Sequence, residues 1–323
     1  MYNMNSGYGK DFIVNALKNA TGKVFFVSAV TTGAIVDMVR DILIPDPDGV
    51  LRFYTSIDSA VNNCVANRGD KIVVLPGHTE TLSSATALNL DIAGVEIVGI
   101  GRGTLVPTIT LDTATSATIP VSAVNISIKN VVFSANFADI VSLFTLTTAK
   151  NFTLEDCYFK ATATNMNFLS IVDTNTTNNA ADGLTIKNCK WIEPDTATLY
   201  MVKGDADIDQ LTIQGCYLNL GVNASNLPAL VNMATGKDLT NAVIGGASKE
   251  LGNMVVRLNT ANPLLVVTDT TTANNGVVAN NFVRHADTVG ELLVTAGTKF
   301  GYFDNRATAV DDASGFLLPA ADS

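Results

Sequence analysis

The chain has 323 residues, of which 47 % are hydrophobic and 15 % are charged, against a typical charged share of about 25 %. Its formal net charge of −10 argues against a nucleic-acid binder that relies on a basic surface. No apolar run approaches the ~20 residues of a membrane span, and the N-terminus lacks the basic and apolar regions of a signal peptide. We therefore expect a protein that is made in a reducing cytoplasm and contacts neither nucleic acid nor membrane.

Residues 1–49 differ in sequence texture from the rest of the chain. Residues 11–20 and 31–43 place apolar side chains at helical spacing, and residues 23–28 between them are typical of a strand. The run Pro45-Asp46-Pro47-Asp48-Gly49 then breaks the chain. We expect this segment to attach the protein to a partner or to promote its oligomerisation.

A short strand at residues 50–54 and a helix at residues 56–67 are predicted next. Apolar residues line one face of that helix, and Gly69-Asp70 separates it from a strand that begins at Lys71. This stretch resembles the start of pectin-lyase-like right-handed parallel β-helices, in which a capping helix leads through a Gly-Asp turn into an I-x-V-x-P-G strand. The matching residues are Phe53, Ile57, Ala60, Val61, Gly69, Asp70, Ile72, Val74, Pro76 and Gly77.

The resemblance implies an all-β fold, a single-stranded right-handed parallel β-helix over residues 50–306. A small α/β segment (1–49) would precede it, and a C-terminal tail (307–323) would follow. The open end of a solenoid exposes apolar interior and unpaired backbone groups. The helix at 56–67 is therefore expected to cap the N-terminal end.

An eight-residue pattern recurs at residues 126–133, 152–159, 184–191 and 211–218. Each copy alternates apolar and polar residues as a strand does, and then reaches a turn residue. The next position holds Val131, Cys157, Cys189 or Cys216. We interpret these four side chains as one interior ladder of small apolar groups. Because the chain has no C-x-x-C pair, a disulfide or metal role for them is disfavoured.

The turn position recurs along the chain at intervals of 23 to 34 residues. The positions are Pro76, Gly99, Asn130, Asp156, Asn188, Gly215, Gly246, Asn280 and Asp304. A second series of strands is predicted between them, at residues 143–144, 169–171, 200–202, 230–233, 264–267 and 292–294. Two strand signals in each period of about thirty residues favour β-helix coils over helical repeats.

Residues that carry chemistry are sparse. His78 and His285 are interpreted as solvated turn residues. Asp205, Asp207 and Asp209 alternate along an extended segment and could hold calcium, but their spacing lacks the glycine and closing glutamate of a calcium loop. We favour a solvated turn there, and we expect no catalytic residue, cofactor or resident metal.

Two further sequence features bear on ligands and contacts. Trp191 shares its repeat position with other apolar residues and is interpreted as packing, and the scattered tyrosines do not indicate a sugar-stacking ladder. In the C-terminal tail, Phe316, Leu317 and Leu318 form an apolar hook. This hook could cap its own β-helix or dock on a neighbouring chain.

The general texture of the chain also resembles bacteriophage virion structural proteins. The shared features are coils rich in Ala, Thr, Val and Asn, a distinct N-terminal segment and a short apolar C-terminal one. The resemblance implies a non-enzymatic virion protein. We predict a capsid decoration or cement protein that forms a homotrimer and binds the major capsid protein or another virion protein.

Two alternatives stay open. The first is a tail spike or fibre that binds host glycans. The second is a polysaccharide lyase or hydrolase, which requires acids or bases that converge in a groove.

Overall fold

The computed structural model describes residues 21–33, 36–37, 52–84, 86–163, 165–193, 200–220, 229–257, 265–267, 273–284, 294–295, 299–308 and 316–317. Within these residues the chain is an all-β, right-handed parallel solenoid with very little helix. The predicted β-helix is therefore confirmed as an architecture. Most of the 1–49 segment lies outside the described residues, and its role in attachment stays a prediction.

The seven coils that begin at Glu96, Ser127, Thr153, Thr185, Thr212, Ala242 and Asn275 each contribute one strand to each of three sheets. Sheet A has the strand order β2 (Phe53–Tyr54), β1 (Val24–Val27), β3 (Lys71–Val74), β5 (Glu96–Gly99), β8 (Ser127–Lys129), β11 (Thr153–Glu155), β14 (Thr185–Lys187), β18 (Thr212–Gln214), β22 (Ala242–Gly245), β25 (Asn275–Ala279) and β28 (Lys299–Phe303). All its pairings are parallel and lie in register, coil to coil.

Sheet B follows sheet A in every coil. Its strands, in spatial order, are β4 (Thr79–Leu82), β6 (Thr108–Leu111), β9 (Val132–Ala135), β12 (Tyr158–Ala161), β15 (Lys190–Glu193), β19 (Tyr217–Leu220), β23 (Met254–Arg257), β26 (Phe282–Arg284), β29 (Arg306–Thr308) and β30 (Phe316–Leu317). The last pairing, β29 with β30, is antiparallel.

Sheet C completes the coil and is formed by the second predicted strand series. Its strands are β7 (Ile119–Val121), β10 (Phe144–Leu146), β13 (Ser170–Asp173), β16 (Tyr200–Gly204), β20 (Ala229–Met233), β24 (Leu265–Val267) and β27 (Val294–Thr295). A two-residue pair, β17 (Ile208–Asp209) and β21 (Leu239–Thr240), lies between sheets C and A. Each of the six predicted segments of the second strand series overlaps a strand of sheet C, from β10 to β27.

In four consecutive coils the turn from sheet A to sheet B uses a single residue with positive φ. The φ angle is 53° at Asn130, 53° at Asp156, 52° at Asn188 and 63° at Gly215. Asn, Asp and Gly tolerate this left-handed conformation better than other residues. The same conformation recurs at Asn280 and Asp304, so the predicted turn positions are confirmed there as well. In the coil between those of Gly215 and Asn280 the left-handed residue is Gly245, rather than the predicted Gly246.

The eight-residue repeat spans two strands instead of one. In residues 184–191 the sheet A strand β14 ends at Lys187, Asn188 turns the chain, and the sheet B strand β15 begins at Lys190. The sequence interpretation counted two strands per coil and was wrong on this point. The left-handed residue redirects the chain, but it shifts the alternation of buried and outward side chains by only one position. The sequence of the two strands therefore resembles that of a single strand.

Helix α1 (Ile57–Val61) lies where a helix was predicted, but it is shorter than the predicted 56–67. Ser56 caps it by accepting a hydrogen bond from the Ser59 amide. Tighter turns replace the helix after Val61, with the Cys64 amide donating to the Val61 carbonyl at 2.9 Å. The helix contacts β1, β2 and β3, and its role as a cap stays a prediction.

Asp70 joins three parts of the first coil. Its carboxylate accepts hydrogen bonds from the Lys23 amide (2.8 Å), the Val65 amide (2.7 Å) and the Arg68 guanidinium (2.6 Å). Burial would raise the pKa of Asp70, but the hydrogen bonds from Arg68, Val65 and Lys23 outweigh it and lower the pKa below its ordinary value. Strand β1, which belongs to the predicted 1–49 segment, is thus tied to the β-helix.

The interior is apolar along sheets A and B, and its small-residue ladder ends in asparagine. Asn253, Asn281 and Asn305 occupy the position after the turn in the last three coils, and all are buried. The Asn281 amide donates to the Ile244 carbonyl (2.9 Å) and to Asn305 Oδ1 (2.9 Å), while its own Oδ1 accepts from Asn253. The ladder therefore satisfies its buried polar groups from coil to coil.

The replacement Asn281→Ala is expected to destabilise the protein by roughly 2–4 kcal/mol, because it leaves several buried donors and acceptors without partners. Urea unfolding of the full chain measures the loss. Asn63→Ala, at an exposed site, serves as the control and should change stability by less than about 0.5 kcal/mol. Equal effects of the two replacements would contradict a stabilising ladder.

The replacement Asp70→Asn is expected to cost roughly 2–4 kcal/mol at pH 7, because Arg68 loses its charged partner and the Lys23 and Val65 amides lose a charged acceptor. Since the folded pKa of Asp70 lies below the unfolded value of about 3.9, its contribution is present above that pH and is lost as the pH falls through the folded pKa. The stability difference between the two proteins should therefore shrink between pH 7 and pH 3. A difference that is independent of pH would contradict this role of the carboxylate.

Candidate functional site

The outward face of sheet B carries a row of large side chains, one from each of six successive coils. Register pairing aligns Tyr158, Lys190, Tyr217, Met254, Phe282 and Arg306 on neighbouring strands. We call this row the sheet B stripe. Tyr158, Tyr217 and Phe282 are half-buried, while Lys190, Met254 and Arg306 are exposed.

The centre of the stripe is an ammonium group between two phenol rings. Lys190 Nζ lies over the Tyr158 ring at 5.3 Å from its centroid and over the Tyr217 ring at 5.8 Å. Such cation–π contacts hold a lysine side chain in place without neutralising its charge. Burial, and then the negative charge of Glu193, raises the pKa of Tyr158, so its hydroxyl stays a hydrogen-bond donor at neutral pH.

The sequence interpretation missed the stripe. It treated the tyrosines as scattered, whereas Tyr158 and Tyr217 occupy equivalent positions on either side of Lys190. The signal was present in the sequence, since each of these residues directly follows a ladder cysteine. It was overlooked because that position was assigned to the end of one strand instead of the start of the next.

The ladder residues lie inside the β-helix. Val131, Cys157, Cys189 and Cys216 are each at most 1 % exposed, and the cysteines form no disulfide. The Cys189 Sγ donates to the Lys187 carbonyl at 3.3 Å. Burial raises the pKa of the Cys189 thiol well above its ordinary value, and the neighbouring thiols of Cys157 and Cys216 raise it further. A buried, protonated thiol is a poor nucleophile and a poor metal ligand.

The three candidate calcium ligands serve different partners. The Asp205 carboxylate binds Lys203, and Asp207 Oδ1 accepts from the Asp238 amide at 3.0 Å. Asp209 Oδ1 accepts from Thr240 Oγ1 at 2.7 Å, and side-chain hydrogen bonds from Thr240 and Asn241 lower the pKa of Asp209. In the described part of the chain no three Asp, Glu, His or Cys side chains form a group suited to a metal ion.

A charged cluster on sheet C was not anticipated. Lys203 Nζ lies 3.1 Å from Asp173 Oδ2 and also binds Asp205. Burial would lower the pKa of Lys203, but the hydrogen bonds and charges of Asp205 and Asp173 outweigh it and raise the pKa. An amine that is held protonated does not serve as a general base at neutral pH.

His78 is buried, so its interpretation as a solvated turn residue is wrong. It follows Gly77 and occupies the ladder position of the first coil, since the Thr108 amide donates to the His78 carbonyl. Its side chain faces inward, with Nε2 at 3.2 Å from Glu80 Oε2, and Glu80 in turn accepts from the Ile57 amide. The contacts join helix α1 to the first coil. His285 lies outside the described residues.

The apolar hook of the tail is partly described. The backbone of Phe316 and Leu317 forms β30, which pairs with β29 of the same chain. Leu318 lies outside the described residues. The pairing supports the option in which the hook covers the end of its own sheet B.

A scan against models of protein families found no match to this chain, and a search of curated proteins found none either. No helix among the described residues is long and apolar enough to cross a membrane.

All four thiols of the native protein are expected to react slowly with Ellman's reagent at pH 8, because they are buried. Burial and the charge of Asp70 raise the pKa of Cys64 to about 12 against the opposing effect of Arg68, and Cys189 is shifted in the same direction. Four thiols should react once the chain is unfolded in denaturant. Rapid reaction of the folded protein would contradict the buried ladder.

Proposed function

We propose that this chain is a non-enzymatic structural protein of a bacteriophage virion, most specifically a capsid decoration or cement protein that acts as a homotrimer. The observation that supports a structural role is the continuous coil-to-coil ladder, from Val131 through the cysteines to Asn305. It produces an extended scaffold whose buried polar groups bond to the next coil. The assignment to a virion comes from the texture of the sequence.

A lyase or hydrolase has weaker support. The closest arrangement to a catalytic cluster on the described surface is Lys203 between Asp173 and Asp205. These carboxylates hold the lysine in its charged form, which suits an ion pair better than proton abstraction. The ladder thiols are equally unsuited to nucleophilic attack.

A tail spike or fibre that binds host glycans is the second candidate. One observation favours it, which is the sheet B stripe with its phenol rings and exposed cations. Aromatic rings and hydrogen-bond donors arranged on a rigid sheet can recognise sugar chains. The position of the protein in the particle distinguishes this role from capsid decoration.

The expected result for a decoration protein is antibody labelling at many sites over the capsid shell of purified phage particles. The free protein should have three times the mass of one chain in sedimentation equilibrium, as a homotrimer requires. Labelling confined to the tail tip would contradict the decoration role and favour the second candidate. Absence of the chain from purified particles would contradict both virion roles.

A further inference from the structure

We propose that the sheet B stripe is a binding surface for an acidic polysaccharide, with Lys190 and its two flanking tyrosines at the centre. The proposal extends the glycan-binding candidate by naming the ligand class. Binding of a polysaccharide does not depend on whether the protein lies on the capsid or on the tail. A binding assay therefore tests this proposal, and the position of the protein in the particle tests the proposed function.

The first argument is the sign of the local charge. Lys160, Lys190 and Arg306 lie on sheet B and point away from the interior, in a chain whose formal net charge is −10. None of the ion pairs among the described residues involves these three cations. The stripe is thus a local cationic surface on an acidic protein.

Lys129 and Lys203, on the other two sheets, are paired with carboxylates. Lys129 Nζ lies 2.9 Å from Glu155 on the next strand of sheet A, and Lys203 lies between two aspartates on sheet C. The carboxylates in the described strands of sheet B, Glu80 and Glu193, share the inward register with buried apolar side chains. The outward face of the described sheet B strands therefore carries cations and no carboxylate, and this favours an acidic ligand as the source of the balancing charge.

The second argument is preorganisation. Two rings hold the Lys190 ammonium between them, and the Tyr158 hydroxyl beside it stays protonated. The result is a short row of donors at fixed spacing, which suits the oxygens of a carboxylate or sulfate. Because the side chain is already ordered, less entropy is lost when an anion binds.

The third argument is length. Neighbouring strands lie about 4.8 Å apart, so the five steps from Tyr158 to Arg306 span roughly 24 Å. The cations Lys190 and Arg306 are four strands apart along this line. These two cations are therefore roughly 19 Å apart, a separation that an extended polyanion can bridge and a small anion cannot.

Nucleic acid fits less well. Duplex DNA carries one charge per ~1.7 Å, and proteins that bind it depend on many phosphate contacts. Single strands require open ring faces on which bases stack, whereas the ring faces toward Lys190 are already occupied by its ammonium. The net charge of −10 adds a repulsion over the whole molecule.

The test is calorimetric titration of the full-length protein with polygalacturonate, dextran sulfate and neutral dextran. We expect binding of at least one acidic polymer, no binding of dextran, and weaker binding at higher salt. Lys190→Gln should lower the affinity roughly tenfold through the loss of one charge-assisted contact. Tyr217→Leu should weaken binding, because it removes one ring that positions Lys190.

Lys187→Gln is the matched control, since it removes an exposed lysine from sheet A instead of sheet B. It should bind like the parent protein, and thermal unfolding should show that all variants are folded. Absence of binding to both acidic polymers, or binding that Lys190→Gln leaves unchanged, would overturn the proposal. Tighter binding of oligothymidylate would assign the stripe to nucleic acid instead.

A second copy of this chain is the other competing occupant. Light scattering of the same variants gives the number of chains in each assembly. If Lys190→Gln reduced that number and left polymer binding unchanged, the stripe would be a subunit interface and the proposal would be wrong. If the number stayed the same while polymer affinity fell, the polysaccharide surface would be supported.

Discussion

The structure depends on one constraint. Each inward side chain must pack against the side chains at the same position in the two neighbouring coils, about 4.8 Å away on either side. At the position after the sheet A turn this requirement selects Val131, then three cysteines, then three asparagines. Small apolar groups stack there without strain. Asparagine is the polar side chain that suits the position, because its amide can donate along the stack while its oxygen accepts from the next copy.

The same constraint explains how much of the fold could be predicted. The turn residues Asn130, Asp156 and Asn188 were recognisable because only a few residue types accept a left-handed conformation. The cysteines were recognisable because identical residues recurred at one position. The asparagines were missed, since a change from thiol to amide breaks the chemical pattern while it preserves the geometry. Length variation between coils also concealed the alignment, as with the short helical turn Lys249–Leu251 that precedes Asn253.

Outward side chains need not pack against their equivalents in the neighbouring coils. Their identities can therefore differ from sheet to sheet and are the ones that bear on function. Sheet A uses them for threonines and for ion pairs such as Lys129 with Glu155, and sheet C uses them for the Asp173–Lys203–Asp205 cluster. Sheet B uses them for aromatic rings and for cations without carboxylate partners. A sequence alone does not show this difference, because assigning a residue to the outward face of one particular sheet requires the position of every turn.

His78 shows that the direction of a side chain, inward or outward, decides how its function is interpreted. As a residue beside a Pro-Gly turn it resembled a solvated side chain, but the left-handed residue before it directs it inward, against Glu80. Lys190 shows the opposite case. It follows Cys189 by one position, which reverses its direction and places it outside between two rings. The alternation that fills the core with Cys189 therefore also determines which side chain meets a ligand, so the scaffold and its binding surface are specified by the same repeat.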